Sequence, residues 1–246
     1  MIGGRILQRR FSAAVVAVGM LGLGAGAAAA APSSAPASGT VLHSAERLAF
    51  LGASITEFGW NHPTGYVRLA VGALQQHGVD IVPVPAGVSG NTSRDMLARL
   101  QRDVLDKKPD WVTIDAGGND VWHGDVPFDE YMVNMTAIVD RAQAAGIHVI
   151  LQTCTPILED LDADFNKKMA YFNQFLRYLA VQKHCLLCDE NGAAIAILKT
   201  KTGKDNVLTT DGVHMNDRGN RLMAATLLRT LGLNDEQIAR SIPDAR

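Results

Sequence analysis

Five short apolar runs that alternate with helical patterns constrain this chain more than any other feature. The runs are Arg47–Ala53, Val79–Pro85, Asp110–Ala116, Ile147–Thr153 and Cys185–Asp189. They show little apolar–polar alternation, as expected of strands covered on both faces. Between them, Phe128, Tyr131, Met132, Met135, Ile138, Val139 and Ala142 follow helical spacing, and Gly146 stands where a helix C-cap belongs. Phe165, Met169, Phe172, Leu176 and Leu179 form a second stripe, and Leu222, Met223, Leu227 and Leu231 a last one. Thr92 and Asp95 resemble a capping box ahead of Leu97, Leu100 and Val104, with Asp in place of the preferred Glu. Such alternation predicts parallel βαβ units with helices on both faces of one sheet. In sheets of that kind, ligands bind beyond the carboxyl ends of the strands. The polar clusters fall there: Ser54 after the first run, Ser89-Gly90-Asn91 after the second and Asn119 after the third.

The length of 246 residues fits one such domain preceded by an export segment. Arg5, Arg9 and Arg10 form a positive start, followed by an apolar stretch from Phe11 into an Ala/Gly run that ends at Ala31. Ala28–Ala30 suit an A-x-A cleavage rule, so residues 1–31 read as a signal peptide cut near Ala30 or Ala31. The Arg9-Arg10 pair hints at the twin-arginine route, although Phe11 follows one place early. An uncleaved membrane anchor is the competing reading, since about 20 apolar residues can span a bilayer. The stretch is rich in Ala and Gly and poor in Leu, Ile and Phe, which favours cleavage, export and no stable membrane insertion afterwards. Pro, Ser, Ala and Gly dominate from Pro32 to Thr40, so residues 32–46 read as a linker and 47–246 as the folded domain. A formal net charge of −2, with no basic stripe after the first ten residues, excludes a nucleic-acid footprint.

Cys154, Cys185 and Cys188 are an odd set, so at least one thiol is free or intermolecular. The Cys185–Cys188 pair lies in an apolar run, not at a helix N-terminus where thiolates are stabilised, and reads as two small buried hydrophobes. The acidic stretch Glu159–Asp164 lacks the turn glycine and closing Glu of a calcium loop. It reads as an acidic helix start favoured by the helix dipole.

Four segments carry chemistry: Gly52-Ala53-Ser54-Ile55-Thr56, Gly87-Val88-Ser89-Gly90-Asn91-Thr92, Gly117-Gly118-Asn119-Asp120 and Asp211-Gly212-Val213-His214. In this order they resemble the four blocks of the GDSL/SGNH hydrolases, and the resemblance spans the whole domain. It implies a flavodoxin-like three-layer α/β/α sandwich with a five-stranded parallel sheet. It further implies a triad of Ser54, His214 and Asp211, an oxyanion hole from the N–H groups of Ser54 and Gly90 and the side chain of Asn119, and neither metal nor organic cofactor. The family's usual Asp in the first block is Ala53 here, which puts the support of the nucleophile loop in question. No serine lies in a G-x-S-x-G elbow, which argues against an α/β-hydrolase lipase.

The residue types suit the chemistry. A serine hydroxyl is a poor nucleophile until a base accepts its proton, and a carboxylate on the far ring nitrogen orients that base. Asp211 precedes His214 by three, so one helical turn could put both on one face. Glycine at position 90 lets backbone come close to a developing oxyanion, and Asn119 supplies amide donors. Trp60, His62, Trp122 and His123 follow the first and third blocks and are expected at the site mouth. The segments Glu57–Thr64, Val121–Pro127 and Glu159–Asp164 read as short polar loops, which suits small-molecule or glycan esters with short acyl groups, acetyl above all. Longer acyl chains (a lipase or thioesterase), a non-catalytic carbohydrate binder and a flavodoxin-like cofactor binder are the alternatives. The sequence sets no oligomeric state.

Overall fold

The computed structural model describes residues 39–203 and 205–244; the signal-peptide reading of residues 1–31 falls outside them. Five parallel strands, β1 (Arg47–Gly52), β2 (Val82–Gly87), β3 (Trp111–Asp115), β4 (His148–Gln152) and β5 (Leu186–Cys188), form one sheet in the order β2-β1-β3-β4-β5. Each predicted apolar run becomes a strand. The largest offset is at β2, which starts three residues later than expected. Val79 and Ile81 are buried, but the Val79 N–H still closes the preceding helix on Leu74 O at 2.9 Å. Pro83 and Pro85 fit this strand because it is an edge. Val82 and Val88 donate to the β1 side, so the prolines occupy the alternate positions whose N–H would face away from the ladder.

The helices are α1 (Ser54–Asn61), α2 (Tyr66–Gln76), α3 (Ser93–Asp103), α4 (Gly118–His123), α5 (Phe128–Ala144), α6 (Asp164–Gln182), α7 (Glu190–Leu198), α8 (Asp217–Thr230) and α9 (Asp235–Ser241). Side chains alternate across the sheet, so β1 feeds two cores. Ala49 and Leu51 pack with α3, α5 and α6 through Met96, Leu100, Met135, Ile138 and Leu176. Leu48 and Phe50 pack with α2, α8 and α9 through Leu74, Leu227, Leu228 and Ile238. The predicted capping box forms at α3, where Thr92 accepts from the Asp95 N–H and Asp95 from the Thr92 N–H, a device worth about 1 kcal/mol. Among the described residues, no helix is long and apolar enough to cross a membrane.

Among the described residues, contacts with the domain are already present ahead of Arg47: Leu42 is fully buried, the Val41 N–H reaches Leu231 O at 2.9 Å, and the Ala45 N–H reaches Asp80 O at 2.8 Å. Two expectations are corrected. Glu57–Thr64 is largely helix α1, and Val121–Pro127 begins inside helix α4, so these are not polar loops. Of the acidic stretch expected at a helix start, Asp164 opens α6, whereas Glu159 precedes the helix and is buried. The cysteines follow their expected role. All three are free, Cys154 and Cys188 are buried and Cys185 half-buried. Burial pushes the Cys185 thiol up to about 11 and the other two well above their ordinary range, so none is a reactive thiolate.

Candidate active site

The order β2-β1-β3 places a topological switch point between β1 and β3, where chain crossings leave in opposite directions and open a crevice at the carboxyl ends. Ser54 is the first residue of α1 directly after β1, and Asn119 lies in the first turn of α4 after β3. Gly90 follows β2 with φ +79°, a conformation glycine adopts without strain. His214 and Asp211 come from the loop before α8. They do not lie on the helical turn that their spacing suggested. The segment is bent, closed by Asp211 Oδ1 accepting from the Val213 N–H at 2.9 Å and the His214 N–H at 2.8 Å.

Three groups form a chain of hydrogen bonds. His214 Nε2 lies 3.1 Å from Ser54 Oγ, and His214 Nδ1 lies 2.6 Å from Asp211 Oδ2. A neutral imidazole that donates from Nδ1 to Asp211 leaves Nε2 to accept the serine proton. Partial burial raises the Asp211 carboxyl. The hydrogen bonds from His214 and the two backbone N–H groups outweigh that effect and bring it down to about 2. Asp211 is therefore a carboxylate at neutral pH.

On the other side of Ser54, donors converge. Asn119 Nδ2 donates one hydrogen to Asn91 O at 2.9 Å. Its second hydrogen, like the N–H groups of Ser54 and Gly90, has no acceptor among the described residues. The Ser54 N–H is one of the orphan donors at the start of α1, where the helix dipole also favours negative charge. These groups line one cavity of about 550 Å³ together with Ser54, His214 and Asp211. Its walls are largely apolar, from Ile55, Phe58, Trp122, Ile157, Leu158 and Val213, and the buried Asp115 and Glu190 also line it. Burial raises the Asp115 carboxyl to about 6, and burial with the Asp115 charge raises Glu190 well above its ordinary range. A second, more open groove lies beyond His214, lined by His62, Arg218 and Arg221.

Of the aromatic residues expected at the mouth, Trp122 and His123 line the cavity and His62 the neighbouring groove. Trp60 does not. Its ring lies under the Arg68 guanidinium, 3.7 Å from the centroid, and packs against the α2–α8 core. The reason is helical phase: Phe58 is four residues after Ser54 and shares its face, whereas Trp60 turns away. Phe58 takes the mouth position, its ring 5.1 Å from that of His214.

Sequence reasoning also missed the scaffold around Ser54, Gly90 and Asn119. Arg99 is buried and donates to Gly52 O at 2.9 Å and to Asn91 Oδ1 at 2.5 Å, tying β1 to the Gly90 loop. Glu57 Oε2 accepts from the Ser89 N–H at 2.7 Å and from the Ser89 hydroxyl. Asp120 is buried and accepts from the Ser93 N–H, locking α4 to α3. Thr56 donates to Asp115 at 3.2 Å and bonds the Tyr66 hydroxyl at 3.0 Å, so the α1 start is braced although Ala53 carries no carboxylate. A cation inside the Met96–Leu100 stripe of α3 was the legible signal for Arg99.

A sequence profile of the GDSL-like lipase/acylhydrolase family matches residues 50–222. The chain belongs to this family. An acetylxylan esterase from Geobacillus stearothermophilus is 33% identical over 212 residues, which cover 77% of this chain and 95% of that protein. Esterase TesA from Pseudomonas aeruginosa is 35% identical over 109 residues, 44% of this chain and 54% of TesA. The crystal structure of Axe2, an acetylxylan esterase from Geobacillus stearothermophilus, superposes with a TM-score of 0.71 at 33% identity, covering 78% of this chain and 97% of Axe2. The activity of this GDSL-like protein is that of a carboxylic ester hydrolase. Among its described residues, no group of three or more His, Cys, Asp or Glu could hold a metal ion.

Proposed function

We propose that this GDSL-like hydrolase removes short acyl groups, acetyl above all, from carbohydrate esters through an acyl intermediate on Ser54. The observation that carries the reading is the Ser54–His214–Asp211 chain of hydrogen bonds opposite three unpaired donors. His214 Nε2 takes the Ser54 proton as Oγ bonds to the ester carbon, and the carbonyl oxygen becomes an oxyanion. The N–H groups of Ser54 and Gly90 and the Asn119 amide face that charge, and each such donor is worth roughly 3 kcal/mol in the transition state. His214 then protonates the departing alkoxide. In the second half-reaction, water gives a proton to His214 and attacks the acyl carbon, releasing the acid and restoring Ser54. Alanine variants of Axe2 at a serine, an aspartate and a histidine are catalytic mutants of that protein, which supports the same role for the three residue types here.

Short acyl specificity is supported by two buried carboxyl groups in the cavity lining. An alkyl tail that reached Asp115 and Glu190 would have to pack against polar groups that gain nothing from it. The alcohol side opens on the polar groove of His62, Arg218 and Arg221, which suits a hydroxyl-rich leaving group. Export, with cleavage near Ala30 or Ala31, remains part of the proposal and rests on the residues of the leader alone.

The test is Ser54→Ala, with labelling by a fluorophosphonate probe and turnover of a chromogenic acetate as readouts. Labelling should vanish and kcat fall by roughly ten-thousandfold or more, with unchanged thermal stability. Retained turnover would reject Ser54 as nucleophile, and a wild-type protein that binds glycans but takes no label would be a binding module.

A further inference from the structure

Leu158 and Glu159 both adopt left-handed backbone, with φ of +57° and +53°. Neither is glycine, and such conformations persist only where surrounding interactions hold them. What holds them is the Glu159 side chain, 1% exposed, which enters the loop that leads to Asp211 and His214. Oε1 accepts from the Leu208 N–H at 2.7 Å, the Thr209 N–H at 2.8 Å and the Thr209 hydroxyl at 2.7 Å. Oε2 accepts from the Val207 N–H at 2.7 Å and from Lys201 Nζ at 3.3 Å. Both oxygens are thus saturated by one segment of chain. Burial raises this carboxyl, but the backbone and Thr209 hydrogen bonds outweigh it and hold it below the usual carboxylate range.

The same turn is fastened to the catalytic loop a second time. The Leu158 N–H donates to Gly212 O at 2.6 Å. Gly212, at φ +92°, lies so close that an added Cβ would come within 2.7 Å of Leu158 Cδ2 and 3.2 Å of its Cα. Residues Val207–Thr209 therefore hang from Glu159, Gly212 rests on Leu158, and Asp211 lies between these two attachments. From the opposite side Asn216 holds the strip, its Nδ2 at 3.1 Å from Val207 O and 3.3 Å from Thr209 O and its backbone N–H at 2.9 Å from Leu208 O, beside an isolated antiparallel bridge between Thr209 and Met215.

We propose that Glu159 is a positioning residue for catalysis: its buried carboxylate sets where the 207–214 loop lies over Ser54, and so holds Asp211 and His214 in line with the nucleophile. The inference rests on the triad reading above. Asn216 at the start of α8 fixes the far edge of this loop, and Glu159 gathers the N–H groups on its other edge. A shift of about 1 Å in a catalytic group can cost on the order of a hundredfold. Neutral Gln at this position keeps the shape but not the acceptors, because its amide nitrogen would face the Val207 N–H and Lys201, or the Thr209 donors, as a donor itself.

The experiment compares Glu159→Gln, Thr209→Val and Asp211→Ala with wild type, at a temperature well below each melting transition. The readouts are the rate of fluorophosphonate labelling of Ser54, kcat and KM on a chromogenic acetate, and the downfield proton resonance of the Asp211–His214 hydrogen bond. Glu159→Gln should slow labelling and kcat by roughly thirty- to a hundredfold with KM within about threefold, and should broaden or abolish the resonance. Thr209→Val, which removes one of the donors to Glu159, should cost a few-fold and carries the test should the Gln variant fail to fold. Wild-type labelling and an intact resonance in the folded Glu159 or Thr209 variant, alongside a silent Asp211→Ala, overturn the proposal while sparing the triad. An active Asp211→Ala overturns the triad reading itself.

Discussion

Ser54, Gly90 and Asn119 stand at the carboxyl ends of β1, β2 and β3, whereas Asp211 and His214 stand on a bent loop that belongs to no strand or helix. The carboxyl groups around the two halves of the site also shift in opposite directions. Around the strand ends, the carboxyl groups of Asp115, Asp120 and Glu190 are raised by burial. In the loop, Glu159 and Asp211 are lowered, because backbone N–H groups converge on them. The contrast has a physical origin. Regular elements satisfy their own backbone, so a buried side chain there meets few free donors. An irregular loop leaves N–H groups unsatisfied, and a carboxylate can serve as their common acceptor. In one half, side chains such as Arg99, Glu57 and Asp120 tie regular elements to one another; in the other, carboxylates gather the N–H groups of an irregular segment.

The largest effect that can break this comparison is at Asn119. Its α4 turn is fixed by Asp120 and Ser93, so Asn119→Ala should leave the melting temperature within a degree or two. It should lower kcat by roughly a hundredfold or more with little change in KM, since the donor matters most once charge develops. A melting temperature that drops sharply would mean that Asn119 itself holds the strand-end half together.

Titration sharpens the same contrast. Asp115 has a folded value of about 6, above the roughly 3.9 of a free Asp side chain. Its contribution to stability is complete below pH ~4 and is lost as pH rises from there through about 6. Asp211, brought down to about 2, behaves in the reverse sense: its contribution is present above pH ~4 and lost as pH falls through about 2. Asp115→Asn keeps an acceptor for Thr56 and removes the first dependence. Urea denaturation at several pH values should therefore show the variant gaining on wild type between pH ~4 and 7, by roughly 2–3 kcal/mol. Parallel curves across that range would show Asp115 to be ionised in the folded protein at pH 5.

The two halves differed equally in how far they could be read from sequence. The strands, α3 with its cap, α5, α6 and α8 were legible because apolar periodicity reports which face is buried. Ser54, Gly90 and Asn119 inherit that legibility, since each directly follows such a run. Asp211 and His214 were legible as residues but not in their conformation, because their spacing of three fits a helical turn as well as the bent loop they adopt. Glu159 was misread as part of an acidic helix start: its partners lie about fifty residues away, and no local pattern encodes them. Trp60 was misplaced for a smaller reason. Reading Glu57–Thr64 as a loop discarded the helical phase that turns Trp60 away from Ser54 and Phe58 toward it.

The smallest expected effect lies at the rim, where both halves meet substrate. Trp122 is 46% exposed on the strand-end side, with its ring 5.2 Å from that of Phe165, and faces a cavity whose opposite wall is Leu158 and Val213 from the loop side. A flat, half-exposed indole held by a second ring suits a pyranose face, and a contact of this kind is worth on the order of 1 kcal/mol. Trp122→Ala should therefore lower kcat/KM on an acetylated oligosaccharide by about five- to tenfold and on a small chromogenic acetate by less than about twofold. Acyl length supplies the control within the same assay. Each methylene buried in an apolar groove contributes about 0.8 kcal/mol, close to fourfold in kcat/KM. A cavity lined in part by the buried carboxyl groups of Asp115 and Glu190 does not sustain that gain, so acetyl and butyryl esters should outperform chains of about ten carbons. A steady rise to long chains, with Trp122→Ala equally damaging to every ester, would make the apolar wall a lipid groove and leave Ser54, His214 and Asp211 serving a lipase.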